Sequence, residues 1–591
     1  MKLSFFGADK TVTGSCHCLE VGDKRILIDC GLQQGAGDKD NSTLPFAPGS
    51  IDYVLVTHAH IDHSGRLPLL VKQGYSGPII TTRLTAQLLS IMLRDSAHIQ
   101  ESDAAWENQK GRRAGRDLVE PLYTLPDAEG ALALLETCDY GQPFEVCPGV
   151  TAEFFDAGHL LGSAMIRLTL RENGVEKSIV FSGDIGNVAH PIIRDPTYLK
   201  SADYVVMETT YGDREHEPEH AYTEELAKII DETLGRGGNV VIPAFAVGRT
   251  QELLYYIREI KEKKMVRSVP DFPVYVDSPL AREATHIFSG DLQGYTDDET
   301  TALVQQGINI LAFDGLRLTQ TTEESKLLNQ DPTPKVILSA SGMCDAGRIR
   351  HHLKHNLWRE ECTVVFVGFQ AVGSLGRILT DKADRVKLFG EEIVVRANIV
   401  QLHGLASHAD RTALLRWINT YSPKPQHVFL VHGEAEVATA FGETLRQAGF
   451  SAHAPDFTEV YDLAANALVQ AGVPFIEKKK SAGKDSPVYQ RLWAMGQQLL
   501  EVIRHNRGGA NKDLGKFEMC IRDRAISVFV GRKQRPCSAC SCTQGSSVFS
   551  PRTKIAANAG TCGKNLFFRY AIRIYKTKKM IEEELLSQKI H

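Results

Sequence analysis

Short apolar, β-branched runs recur along the first 477 positions, separated by polar turns or by segments whose apolar residues keep a helical spacing. They predict strands at 2–6, 26–29, 53–57, 166–170, 178–182, 204–207, 240–243, 274–277, 336–339, 363–367 and 427–431. Helices are expected over 221–234, 250–263, 411–421 and 434–448. Alternation of this kind is that of an α/β protein. Within 238–280 the order strand, helix, strand reads as a βαβ unit with a parallel sheet. No repeat of fixed period is present. Beyond residue 477 the alternation stops, apart from a short run at 567–575.

Composition and charge separate the same two regions. With 591 residues, 43% hydrophobic and 24% charged, the chain is of globular type and long enough for several domains. No stretch approaches the ~20 apolar residues of a spanning helix, and the start MKLSFFGADK has no secretory leader pattern. A cytoplasmic protein with no membrane partner is expected. Most of the 12 Cys stand alone, which fits a reducing compartment and argues against a disulfide framework. The net charge of −5 divides into 23 Lys and Arg against 8 Asp and Glu over 478–591, or +15, and −20 over 1–477. In the tail, Cys537, Cys540 and Cys542 lack a second ligand pair at zinc spacing and read as part of a polar tail. The hexapeptide Met519-Cys-Ile-Arg-Asp-Arg524 resembles the translation of a transposon-end oligonucleotide used in preparing sequencing libraries. Residues 519–591 are therefore expected not to be the natural C-terminus, with 471–518 as linker and helical tail.

The densest chemistry is Thr57-His58-Ala59-His60-Ile61-Asp62-His63-Ser64-Gly65, directly after the apolar run 53–56. Three imidazoles and a carboxylate on a loop leaving a strand can face one cavity, and these donors suit zinc and similar borderline metals. A His-rich surface turn would need neither the Asp before the third His nor a buried strand before the first. By contrast, His351, His352 and His355 on a helix, with no carboxylate beside them in sequence, read as a solvated face. The glycine-rich 31–37 stretch precedes no helix and reads as a turn, not a phosphate loop.

The HxHxDH pattern resembles the signature of the metallo-β-lactamase superfamily, and further motifs follow in that superfamily's order: Asp29 ending an early strand, His159 in Asp-Ala-Gly-His, and Asp184 in Ser-Gly-Asp-Ile-Gly. Glu208 in Met-Glu-Thr-Thr-Tyr-Gly, His408 in Ala-Ser-His-Ala-Asp and His432 in Val-His-Gly-Glu narrow the resemblance to the β-CASP nucleases. It implies a metallo-β-lactamase αββα sandwich with an inserted α/β domain. Asp184 and His432 stand 248 residues apart yet share one site on this reading, so the chain between them must leave and return. The expected division is 1–210 and 393–470 for the lactamase-like domain and 211–392 for the insert.

Carried over position by position, the resemblance implies two zinc ions. His58, His60 and His159 would hold one, Asp62, His63 and His432 the other, with Asp184 between them and Asp29 supporting the histidine loop. The implied chemistry is phosphodiester hydrolysis by a metal-bridging hydroxide. His408 would protonate the leaving oxygen, Glu208 would orient it, and Asp62 and Asp184 would serve the reaction as ligands. Arg249 and Arg377, beside glycine-rich turns, are expected phosphate contacts, each weighed equally against a surface ion pair; Arg348 is a further candidate. Single-stranded RNA is the expected partner and endoribonuclease the expected activity, with 5′-exonuclease activity alongside and a homodimer left open. A DNA-processing member, a small-molecule thioester or lactam hydrolase and a non-catalytic RNA-binding scaffold are the competing readings.

Overall fold

The computed structural model describes residues 1–474 except 35–40, 217–221, 369, 372 and 403. The expectations for the linker, the tail with its three cysteines, the 567–575 run and part of the 31–37 turn lie outside the described residues.

Two sheets face each other across an apolar core. The first orders eight strands as Ala467–Gln470, Val460–Asp462, Lys2–Phe5, His17–Val21, Lys24–Ile28, Tyr53–Leu55, Ile79–Thr82 and Leu135–Cys138. The second orders seven as Ala452–His453, His427–Val431, Tyr204–Glu208, Val175–Phe181, Ala164–Glu172, Val150–Asp156 and Phe144–Cys147. Leu3, Phe5, Leu19, Ile28 and Leu55 from one sheet pack with Phe154, Ile166, Phe181, Val206 and Phe429 from the other. The alternation that puts one face inward is plain in Val150–Asp156, where every second residue is buried.

Three neighbouring strands of the second sheet, Val175–Phe181, Tyr204–Glu208 and His427–Val431, run parallel, with Phe181 opposite Val206 and Glu208 opposite Val431. Asp184, Glu208 and His432 therefore emerge at the same edge, although the chain travels more than two hundred residues between the last two. That excursion builds a third sheet of six parallel strands, ordered Leu316–Leu318, Val274–Val276, Val336–Ser339, Val240–Pro243, Thr363–Phe366 and Asn398–Gln401. The inserted sheet continues past residue 392, since Asn398–Gln401 is its edge strand.

The strands at 240–243 and 274–276 are parallel, as their spacing predicts, but they are not neighbours: Val336–Ser339 lies between them and pairs with both. All four residues of that strand are buried, so it takes the interior place. Sequence order cannot reveal such an insertion. The helix Arg83–Ala114 was absent from the expected elements, although Leu84, Leu88, Met92 and Leu89, Leu93, Ala97 repeat at intervals of four and are buried. Thr82 caps its start by accepting from the Thr85 N–H, and Gly115, at φ 64°, ends it.

The solvated-face reading of 351–355 is corrected for its middle residue. His351 and His355 are exposed, but His352 is fully buried and its Nε2 lies 2.6 Å from Asp277 Oδ2. The carboxylate partner is 75 positions away, at the end of a neighbouring strand, where no local pattern could find it. Asp277 also accepts from Ser325 Oγ at 2.5 Å and from Arg348 Nη1 at 2.7 Å. Burial would raise its pKa, but the His352, Ser325 and Thr319 contacts outweigh that and hold it below the carboxylate range. Arg348 is thus tied to the insert's interior. Removing the imidazole with His352→Ala should destabilise the protein by about 3–5 kcal/mol, because a buried charge loses one partner. Denaturant unfolding measures this; an unchanged midpoint would show the pair to be dispensable.

Candidate metal centre

The loop after Tyr53–Leu55 carries His58, His60, Asp62 and His63; the turn after Val150–Asp156 carries His159; the three parallel strand ends deliver Asp184, Glu208 and His432. Close backbone approach at two glycines brings these turns together. A Cβ on Gly31 would sit 1.6 Å from the Asp62 carbonyl oxygen, and one on Gly186 would sit 1.6 Å from that of Gly158, next to His159. Any side chain at either position would push a donor-bearing loop away.

Among the described residues the donor atoms form two groups around Asp184, and Asp184 also lies close to Glu208 and His408 in a third. His58 Nε2 and His159 Nε2 each lie 3.4 Å from Asp184 Oδ2, and His60 Nδ1 lies 3.1 and 3.2 Å from those same two nitrogens. On the other side, His63 Nε2 is 3.1 Å and His432 Nε2 3.6 Å from Asp184 Oδ1, with Asp62 Oδ2 3.3 Å from His432 Nε2. Asp184 presents one oxygen to each of these two groups. The centre is almost closed to solvent: His58, His63, His159, Asp184 and His432 are all buried.

The rear nitrogens are held, which fixes where the ring protons sit. His63 Nδ1 lies 2.7 Å from Asp29 Oδ2 and His159 Nδ1 3.1 Å from the Ser407 carbonyl; both oxygens can only accept, so each Nδ1 carries a proton and each Nε2 is turned into the centre. Thr57 Oγ1 and Thr210 Oγ1 stand behind His58 and His432 at 3.1 and 3.0 Å. Asp29, itself buried at φ 62°, also accepts from the Thr57 N–H and hydroxyl, both at 2.8 Å. The two threonines were not singled out from sequence; their position beside His58 and Glu208 was the available signal.

Electrostatics follow burial and crowding. Burial pushes His58 and His159 below the usual imidazole range, towards the neutral form that can donate a lone pair. Burial alone would raise Asp184 and Asp62, but the surrounding imidazoles outweigh it and hold both carboxylates well ionised. Next to this cluster, His408 Nδ1 lies 3.1 Å from both oxygens of fully buried Glu208, while its Nε2 faces Asp184 Oδ2 at 3.9 Å. Burial works against its charged form, yet the Glu208 and Asp184 charges raise it to about 9.

Profiles of three domain families cover the described chain in succession: Beta-lactamase superfamily domain over 24–237, Beta-Casp domain over 250–379, and Zn-dependent metallo-hydrolase RNA specificity domain over 392–455. Ribonuclease TTHA0252 of Thermus thermophilus is 38% identical over 450 residues, which is 76% of this chain and 97% of that protein. The chain belongs to the β-CASP family of metallo-β-lactamase-fold hydrolases. Two further relatives, the transcription termination factors FttA of Methanothermobacter thermautotrophicus and Methanocaldococcus jannaschii, are 31% and 30% identical. They align with 73% and 76% of this chain and 67% and 69% of their own length.

The donor set of this β-CASP chain fits metal. Imidazoles and ionised carboxylates converge, and His63 Nε2 and Asp184 Oδ1, buried and 3.1 Å apart, are not aligned to hydrogen-bond each other and have no other partner, which is costly unless a cation takes them up. Asp29 should matter through His63 and Thr57. Asp29→Ala is expected to weaken metal affinity about 10–100-fold with the fold kept, as measured by competition with a chromogenic chelator. Unaltered affinity would refute its supporting role.

The two arginines expected at phosphate each have a carboxylate partner. Arg377 Nε lies 2.8 Å from Asp381 Oδ1, one helical turn on, as an exposed ion pair. Arg249 is nine-tenths buried; its Nη1 lies 2.5 Å from Glu252 Oε2 and its Nη2 donates to the Leu405 carbonyl.

Proposed function

We propose that this protein is an endoribonuclease that hydrolyses phosphodiester bonds of single-stranded RNA with two zinc ions held by His58, His60, His159, Asp62, His63, His432 and the shared Asp184. The observation that carries the reading is the double face of Asp184, one oxygen per donor group. When bound, such a metal pair lowers the pKa of water and draws charge from a phosphoryl group.

The chain's own residues supply the rest. His58 and His159 are kept neutral by burial, and His63 by the Asp29 hydrogen bond is held with Nε2 inward. His408, kept protonated by Glu208 and Asp184, is placed to give its Nε2 proton to the leaving oxygen, whose alkoxide is otherwise a poor leaving group. Glu208 accepts from His408 Nδ1 and from the Ile185 N–H at 2.6 Å, so it fixes the ring and its tautomer.

RNA as substrate is supported by the RNA specificity profile over 392–455 and by the ribonuclease among the relatives. With −20 over residues 1–477, attraction for phosphate is expected to be concentrated at the metal site. All the donors come from one chain, so the site does not require a second copy. Incubating the protein with end-labelled single-stranded RNA and DNA, with and without chelator, tests the reading. Chelator-sensitive internal RNA products are expected. Mononucleotides alone would make it an exonuclease, preferential DNA cutting would favour a DNA-processing enzyme, and no cleavage of either would leave a binding scaffold.

A further inference from the structure

The segment that carries His408 has little backbone ladder of its own, only isolated bridges from His408 to Gly186 and from Asp410 to Tyr211. Four successive carbonyls in it each also accept from a side chain from elsewhere, and that of Ser407 additionally from the Asn187 N–H at 3.3 Å. Leu405 O accepts from Arg249 Nη2, Ala406 O from His190 Nε2 at 2.9 Å, Ser407 O from His159 Nδ1 at 3.1 Å, and His408 O from His216 Nε2 at 2.8 Å. The first two are linked, because Glu252 binds Arg249 and lies 3.7 Å from His190 Nδ1. Arg249 opens the helix Arg249–Glu262 of the inserted region, whereas His159 and His190 follow strands of the second sandwich sheet. Arg249 is therefore one of the points, with His216, at which the insert holds the His408 loop.

We infer that Arg249, backed by Glu252, is a positioning residue for His408: it holds the Leu405 carbonyl so that the His408 ring meets Glu208 on one side and the leaving oxygen on the other. This rests on the proposed role of His408 as proton donor. It assigns Arg249 to the proton-transfer step, not to binding phosphate. A guanidinium at this depth, with both terminal nitrogens committed inside the protein, has nothing to offer RNA in this arrangement. A donor displaced by even about 1 Å can cost on the order of a hundredfold in rate, so loosening one carbonyl of the four should be visible in kcat.

Two substrates separate positioning from binding and from general loss of structure. Single-stranded RNA leaves through an alkoxide that needs a proton, whereas bis(4-nitrophenyl) phosphate leaves as a stabilised phenolate that does not. For Arg249→Ala the account predicts that kcat on RNA falls about 10–100-fold with KM changed less than about threefold. The ratio of RNA to nitrophenyl ester turnover should fall with it and metal content should stay near that of the parent, while the thermal midpoint falls because buried Glu252 loses its partner charge. Arg249→Lys should recover part of the ratio, since the ammonium can still donate to one carbonyl. The double variant with His408→Ala should be no slower on RNA than His408→Ala alone.

A rise in KM with kcat kept would make Arg249 a direct RNA contact and overturn the inference, as would equal losses on both substrates or additive losses in the double variant. If His408→Ala itself lost both substrates equally, the reading of His408 as proton donor would fail instead. The double variant would then still decide whether Arg249 acts through His408.

Discussion

Asp184→Ala is expected to reduce RNA cleavage on the order of a thousandfold or more and to strip metal from both donor groups while the sandwich still folds. The carboxylate is the one side chain with an oxygen towards each group, within 3.4 Å of His58 and His159 and 3.1 Å of His63. Its loss removes a ligand from each side at once and leaves crowded imidazoles without the charge that balances a dication. The fold should survive because the apolar contacts between the two sheets do not include Asp184. Rate, metal content by atomic emission and far-ultraviolet circular dichroism read the three parts separately. A purified variant that cuts as fast as the parent and keeps its metal would remove Asp184 from the site.

His408→Ala should separate metal binding from catalysis. The ring touches Glu208 with Nδ1 and only faces Asp184 at 3.9 Å, apart from the groups around His58 and His63, so the metal they hold should be retained. The rate on RNA should fall about 10²–10⁴-fold, the usual range for losing a general acid. The pH profile gives a second reading. A group raised from 6.5 to about 9 is protonated and competent below that value, so the parent's rate should fall as pH rises through the folded pKa. Bound dications would move that limb downwards by repulsion. In the variant the limb should vanish. Loss of metal from His408→Ala would make it a ligand, and an unchanged alkaline limb would assign the titration to another group.

What the sequence disclosed, and what it hid, follows the range of each interaction. The strands at 240–243, 336–339 and 427–431 were legible because each is a local apolar run, and the structure has them with the same ends. The loop from His58 to His63 was legible because its donors are clustered. Asp29, His159, Asp184, Glu208, His408 and His432 could be gathered only through resemblance, since nothing in local spacing says that residues 184 and 432 meet. The strand order of the insert, the Asp277 and His352 pair and the grip of Arg249 on Leu405 are contacts between distant positions with no periodic signal. Two partners were nonetheless in view: Asp381 lies four residues after Arg377 and Glu252 three after Arg249, the spacings at which helical ion pairs form.

The central claim, that two metal ions held by this donor set switch on RNA cleavage, is tested most directly by zinc titration of chelator-stripped protein with end-labelled single-stranded RNA as the readout. Cleavage should be absent at the start, rise with added zinc and level off at two equivalents per chain. Full cleavage in stripped protein, or a plateau that ignores zinc altogether, would contradict it.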